Sequence, residues 1–315
     1  MAAGGGTKAI IAAMLANAGI AVAKFVAYLV TGSASMLAES IHSVADTSNQ
    51  GLLLLGGRRA QRVADDRHQF GYGRERYFWA FVVAMVLFAL GGLFSIYEGI
   101  DKLRHPHDVE ALGWAVGVLV FAIVAETLSF RTAIVESRKV KGDRKWLDFI
   151  RHSRSPELPV VLLEDAGALI GLILALIGVG LAAITGDVVW DGVGTLSIGI
   201  LLVAISVVLT IEMKSLLIGE AATHEHIDAM SQAAAAVPHV TRVIDLKTQH
   251  IGPEELLVAG KLEFDRSLTN PELSVAVDDV ESAIRRAVPL TMQIYLEPAL
   301  FDSDHPESKA NQPGS

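Results

Sequence analysis

Between positions 10 and 210 the chain returns six times to an apolar run long enough to cross a hydrocarbon core of about 30 Å. The runs occupy residues 10–31, 36–55, 77–100, 111–134, 158–184 and 190–210. Lipid offers no hydrogen bonds to a bare backbone, so such a chain is confined to helices that satisfy their own peptide groups. The second run is the least hydrophobic. It is placed by the short turn of residues 32–35 before it and by Leu52-Leu53-Leu54-Leu55 at its end. A mean hydropathy of +0.43 with only 19% charged residues agrees with a membrane protein carrying a polar extension. The N-terminal stretch has one basic residue, Lys8, and no small-residue cleavage site, which predicts an uncleaved first span.

The loops predict an orientation. The second link holds Arg58, Arg59, Arg62, Arg67, Arg74 and Arg76, and the fourth holds Arg138, Lys139, Lys141, Arg144, Lys145, Arg151 and Arg154. The first and fifth links have no Lys or Arg, and the third has only Lys102 and Arg104. The positive-inside rule then puts both termini in the cytoplasm.

Within the second run stand Glu39, His42 and Asp46. Ionisable groups are costly in a bilayer, about 2.5–3.5 kcal/mol for Asp on insertion scales, and mark ion paths or buried pairs. His42 and Asp46 are four residues apart, so they share one helix face. Imidazole and carboxylate so placed suit a divalent metal such as zinc. The bland alternative is a neutral His held by a neighbouring helix, with Asp46 bonded to a Ser or Asn beside it. The fifth run carries a second acidic pair, Glu164-Asp165. Consecutive residues lie about 100° apart around a helix. Both carboxylates therefore reach one site only from its edges, or Glu164 serves helix packing while Asp165 alone faces the site. Gly91, Gly92, Gly167, Gly171, Gly178 and Gly180 are expected to allow close helix approach.

Several chemistries are excluded. A net charge of −9 leaves no nucleic-acid footprint. With no cysteine there is no disulfide, thiolate nucleophile or Cys-ligated metal, so any metal must use His and carboxylates. No phosphate-binding Gly-x-x-x-x-Gly-Lys-[Ser/Thr] loop is present, so no ATP-driven step is expected.

After about Thr223 the texture changes to short patterned elements. A helix is predicted over 224–237, strands over 240–250 and 256–264, a helix over 271–287 and a strand over 292–297. The expected organisation is a six-helix transmembrane domain (1–213), a linker (214–222), a small two-layer α/β domain of ferredoxin-like αββαβ type (223–301) and a disordered tail (302–315).

Taken together, four features resemble the cation diffusion facilitator family: the six spans, Gly32-Ser33-Ala34-Ser35-Met36-Leu37-Ala38 leading to His42-x-x-x-Asp46, Asp65-Asp66-Arg67-His68-Gln69-Phe70-Gly71-Tyr72-Gly73, and a C-terminal module ending Ile294-Tyr295-Leu296-Glu297-Pro298. The resemblance covers roughly Lys8 to Pro298. It implies a homodimeric, multi-pass exporter of divalent cations in a bacterial inner membrane, zinc first among its cargoes, coupled to proton entry and needing no cofactor. The transport site it implies is tetrahedral and shared by spans two and five. His42 and Asp46 fall on the span-two ligand positions and Asp165 on one of span five. The other is Val161 here, for which Glu164 is the expected substitute, with water as competitor. The loss of a nitrogen ligand makes manganese or iron(II) more credible cargoes. The loop site of relatives matches Asp65 and His68 but has Tyr72 in place of a His, so a capping role is expected there. Regulatory His positions of the C-terminal module align with Ile244, Lys261 and Tyr295, so no dinuclear site is expected and dimerisation is by packing. His224 and His226, near a membrane-proximal linker, read as solvated surface residues, and His105 and His107 as polar residues of an outer loop. A membrane-embedded metalloenzyme with Glu39 or Glu126 as base, or a metal sensor without flux, are the competing readings. No catalytic His-Glu-x-x-His motif supports the first.

Overall fold

The computed structural model describes residues 3–31, 34–105 and 112–301; the side chains of residues 3–5, 31, 34–39, 41, 42 and 112 lie outside that description. The Gly32-Ser33 turn, His107 and the tail from Asp302 also fall outside the described residues.

The chain divides into two compact units, one of residues 1–67 and 75–217, the other of residues 68–74 and 218–315. The first is helical: α1 (Ala3–Thr31), α2 (Ala34–Ala60), α3 (Glu75–Val86), a π-helical segment (Leu87–Leu93), α4 (Phe94–Arg104), α5 (Leu112–Lys141), a short α6 (Trp146–His152), α7 (Glu157–Thr185) and α8 (Val189–Ile218). Among the described residues five rods are long and apolar enough to cross a membrane: 6–30, 75–104, 113–141, 157–185 and 189–218. Helix α2 has 27 residues, a length that suffices to span, but its polar content keeps it out of that set. The sequence pattern did not anticipate α6, whose seven residues lie in a stretch read as a basic loop. Nor did it show the π-helical turns at Leu87–Leu93, where Gly91 and Gly92 sit.

Helix α7 ends on Gly186 in the left-handed conformation (φ 72°, ψ 11°), whose N–H donates to the Ala182 carbonyl at 2.9 Å. At the next residue Asp187 Oδ1 accepts the N–H of Val189, two positions on, at 3.0 Å, so α8 starts at once and runs back antiparallel to α7. Small residues set the spacing of α8 against its neighbours. A Cβ at Gly99 would lie 2.6 Å from the Leu196 nitrogen, and one at Gly199 would lie 2.6 Å from the Ile96 nitrogen. These reciprocal contacts continue at Gly92 with Val203 and at Gly192 with Leu103, in one antiparallel register. Gly167, Gly171 and Gly178 likewise admit α8, with Ile205, Ile198 and Trp190 at those points. Gly180, expected to do the same, meets none of the described residues, because it lies off the α8 side of its helix. Gly199→Leu is expected to separate α4 from α8 at a cost of about 1–3 kcal/mol. A lowered midpoint of thermal unfolding in detergent checks this, with Gly180→Leu as the unaffected control.

In the second unit α9 (His224–Ala235), β1 (Val240–Gly252), β2 (Glu255–Phe264), α10 (Asn270–Ala287) and β3 (Thr291–Pro298) follow in the predicted order. The sheet order is β1-β2-β3, with β1 and β2 antiparallel and β2 and β3 parallel. Alternate β2 residues Leu256, Val258, Leu262 and Phe264 are buried with Met230 and Ala234 of α9 and Val280 and Ile284 of α10, so both helices cover one face. Thr269 precedes α10 and donates its N–H to Glu272 Oε2 at 2.8 Å. The Thr269 hydroxyl and N–H hold the Glu272 carboxyl below the usual carboxylate range. Residues 68–74 belong to this unit. A Cβ at Gly73 would lie 2.7 Å from the Ile251 carbonyl and 2.9 Å from the Gly252 Cα, so only glycine fits against the β1–β2 turn.

Candidate metal-transport site

The polar side of α2 is turned inward. Ser40, Ser43, Asn49 and Gln50 are buried and Asp46 is half-buried, whereas Val44 is 54% exposed. A soluble helix has the opposite arrangement; here the outer solvent is apolar, so polar groups gain by meeting one another in the bundle. Ser40 Oγ ties α2 to α1 by donating to the Ala21 carbonyl at 3.1 Å.

Helix α7 brings its two carboxylates to this region from the inside of the bundle, Glu164 6% and Asp165 1% exposed. The 100° step between them sends them to different neighbours. Asn49 Nδ2 on α2 donates to Glu164 Oε1 at 3.1 Å. Ser129 Oγ on α5 donates to Asp165 Oδ2 at 2.6 Å. Glu164 thus meets α2 without any rotation of α7. Val161, one turn earlier, is wholly buried in the apolar core and supplies no donor atom.

Two further ionisable groups complete the region. Glu126 on α5 is 2% exposed, and it lies within electrostatic reach of Asp165, Asp46 and the buried Lys24 of α1. Asp46, Asp165 and Glu126 all act on Glu164. Four carboxylates and one ammonium from α1, α2, α5 and α7 therefore share one interior. Several buried polar atoms there have no hydrogen-bond partner among the described residues: Asn49 Oδ1, Glu164 Oε2 and both side-chain ends of Gln50. A buried unsatisfied acceptor costs about 1–3 kcal/mol, which a bound cation would offset.

Among the described residues no three His, Asp or Glu side chains are already drawn together as a closed metal cage. His42 and Glu39 occupy α2, but their side chains lie outside the described residues. Lys24, Asn49, Gln50 and Ser129 were not picked out from the sequence. Lys24 carried the clearest signal, as a cation within the first apolar run, and Asn49 stands seven residues after His42 and three after Asp46, in the same helical stripe.

Elsewhere, Asp65 Oδ1 accepts the Arg67 N–H at 3.1 Å in an exposed turn, and the His68 and Tyr72 rings lie 4.5 Å apart. His224 is exposed at the start of α9, where the Thr223 hydroxyl accepts the His226 N–H at 3.3 Å. Exposed His105 pairs with Asp101 at 3.1 Å. In the sheet, Lys261 lies 3.9 Å from Glu297 and Tyr295 is 59% exposed.

Residues 10–218 match the family model of the cation efflux transmembrane domain. The mitochondrial proton-coupled zinc antiporter SLC30A9 of Homo sapiens is 34% identical over 245 residues, 77% of this chain and 43% of the human protein. Metal tolerance protein C4 of Arabidopsis thaliana is 26% identical over 260 residues, covering 82% of this chain and 57% of the plant protein. The cation-efflux pump FieF of Klebsiella pneumoniae is 26% identical over 285 residues, covering 90% and 89%. The chain spans less than half the length of the animal antiporters and most of the length of the bacterial pump.

Proposed function

The chain belongs to the cation efflux family, the cation diffusion facilitators, and from that premise we propose that it exports divalent metal ions, zinc foremost, in exchange for protons. The observation that carries this reading is the pair Glu164 and Asp165, buried in an apolar span and held from α2 and α5. The zinc and proton coupling named for the animal relatives and the efflux named for the bacterial one support the same direction.

The cargo enters from the cytoplasm between six spanning helices, α2 being the sixth. His42, Asp46, Glu164 and Asp165 hold it. Metal binding requires these groups to give up protons, so protons arriving from the far side compete for the same atoms. The imidazole is the group whose charge changes near neutral pH. Alternating access then needs only that one half of the bundle rock against the other, as in other secondary transporters. Both termini face the cytoplasm, the membrane is a bacterial inner membrane, and the α/β unit pairs two copies. With one imidazole and three carboxylates the site is harder than a two-imidazole one, so manganese and iron(II) compete with zinc.

Reconstitution tests the reading. Purified full-length protein in liposomes, loaded with a metal-sensitive and a pH-sensitive dye, should show zinc entry matched by proton exit when a zinc gradient is applied. Metal movement without proton movement would remove the exchange, and saturable binding without movement would leave a sensor.

A further inference from the structure

We propose that Asn49 is itself a ligand of the transported cation, its side-chain oxygen supplying a neutral, hard donor beside Glu164; this rests on the transport reading above. Asn49 lies in one helical stripe with His42 and Asp46, at the spacing i, i+4, i+7. Its amide is oriented by chemistry, since only the NH2 end can donate to a carboxylate oxygen, and Nδ2 does so to Glu164 Oε1 at 3.1 Å. That contact leaves Asn49 Oδ1 and Glu164 Oε2 buried with no hydrogen-bond partner among the described residues, on residues only 1% and 6% exposed.

Two buried acceptors, on hydrogen-bonded side chains of two different helices and without a partner among the described residues, keep lone pairs free for a positive ion. Asp46 adds charge from the same side of α2, within electrostatic reach of Glu164. An amide oxygen is a ligand type favoured by manganese and other oxygen-seeking ions over zinc. Asn49 would therefore set cargo preference as well as affinity, compensating in part for the apolar Val161.

The test compares Asn49→Leu and Asn49→Asp in full-length protein reconstituted in liposomes, with zinc and manganese as separate cargoes. Both variants lose the NH2 donor to Glu164, and only the aspartate keeps an oxygen. A ligand role predicts that leucine raises the manganese KM and shifts the manganese-to-zinc KM ratio toward zinc by at least about tenfold, the lower bound for disturbing even an outer partner of a metal site. The aspartate variant should keep the ratio near that of the unaltered protein. If both variants slow both metals alike with the ratio unchanged, Asn49 only positions Glu164 and the proposal is overturned. Should the leucine variant fail to fold, Asn49→Ala replaces it with the same expectation. Absence of any metal flux in the unaltered protein would instead overturn the transport reading.

Discussion

Asp165→Ala is expected to abolish metal-driven proton flux while the protein still folds. Asp165 is almost fully buried and its Oδ2 accepts one strong hydrogen bond, from Ser129 at 2.6 Å. Removing the carboxylate takes one negative charge from the ion's surroundings and leaves the Ser129 hydroxyl, which can turn to a backbone carbonyl of its own helix as Thr127 and Thr132 do nearby. The folded state thus loses little. On the proposed site the ion would lose a directly bound ligand, and disturbing even outer partners of a metal site costs about 10–100-fold in affinity or activity. Flux should fall by about a hundredfold or more in liposomes carrying a metal-sensitive and a pH-sensitive dye, with the unfolding midpoint near that of the unaltered protein. Asp46→Ala should do the same. Undiminished flux in both variants would remove this site assignment.

The second large effect is on stability. Glu157 opens α7 and Arg76 lies in the first turn of α3, and the two form a bidentate pair, with Arg76 Nη2 to Glu157 Oε2 at 2.8 Å and Arg76 Nε on Oε1. Their side chains are only 15% and 6% exposed, so the pair is shielded from solvent screening. Removing one partner of a buried pair costs about 3–5 kcal/mol, whereas replacing both by apolar residues of similar volume is close to neutral. Glu157→Ala should therefore lower the unfolding midpoint in detergent markedly, and the double variant Arg76→Met, Glu157→Met should recover most of the loss. An equal loss in single and double variants would assign the effect to packing, since the double variant restores the charge balance but not the original shapes. The pair also seats the start of α7, two turns before Glu164 and Asp165. Transport should weaken with stability in the single variant and return in the double.

Much of the fold was legible because burial in lipid and burial in a small α/β core leave different periodicities. The continuous apolar runs predicted α1, α5, α7, α8 and the rod from α3 to α4, and alternation with Gly252-Pro253 between predicted β1 and β2. The short α6 was not legible, since seven residues of mixed polarity carry no helical period that distinguishes them from a loop. The glycines were legible as small but not as contacts: Gly92, Gly167 and Gly178 meet α8, while Gly180 meets none of the described residues. Which face of a helix is crossed depends on a partner hundreds of atoms away along the chain.

Composition and spacing alone determined that this is a helical membrane chain with a small α/β module, and that acids and an imidazole stand where lipid would exclude them without a purpose. Those properties are local, set by one residue's polarity against the length of its run. Only the tertiary structure decided where the acids point. Adjacent Glu164 and Asp165 part toward Asn49 of α2 and Ser129 of α5, and Glu126 and Lys24 join them from helices remote in sequence. The physical reason is that an acceptor's partner is fixed by how four helices pack, and packing is a property of all four surfaces at once.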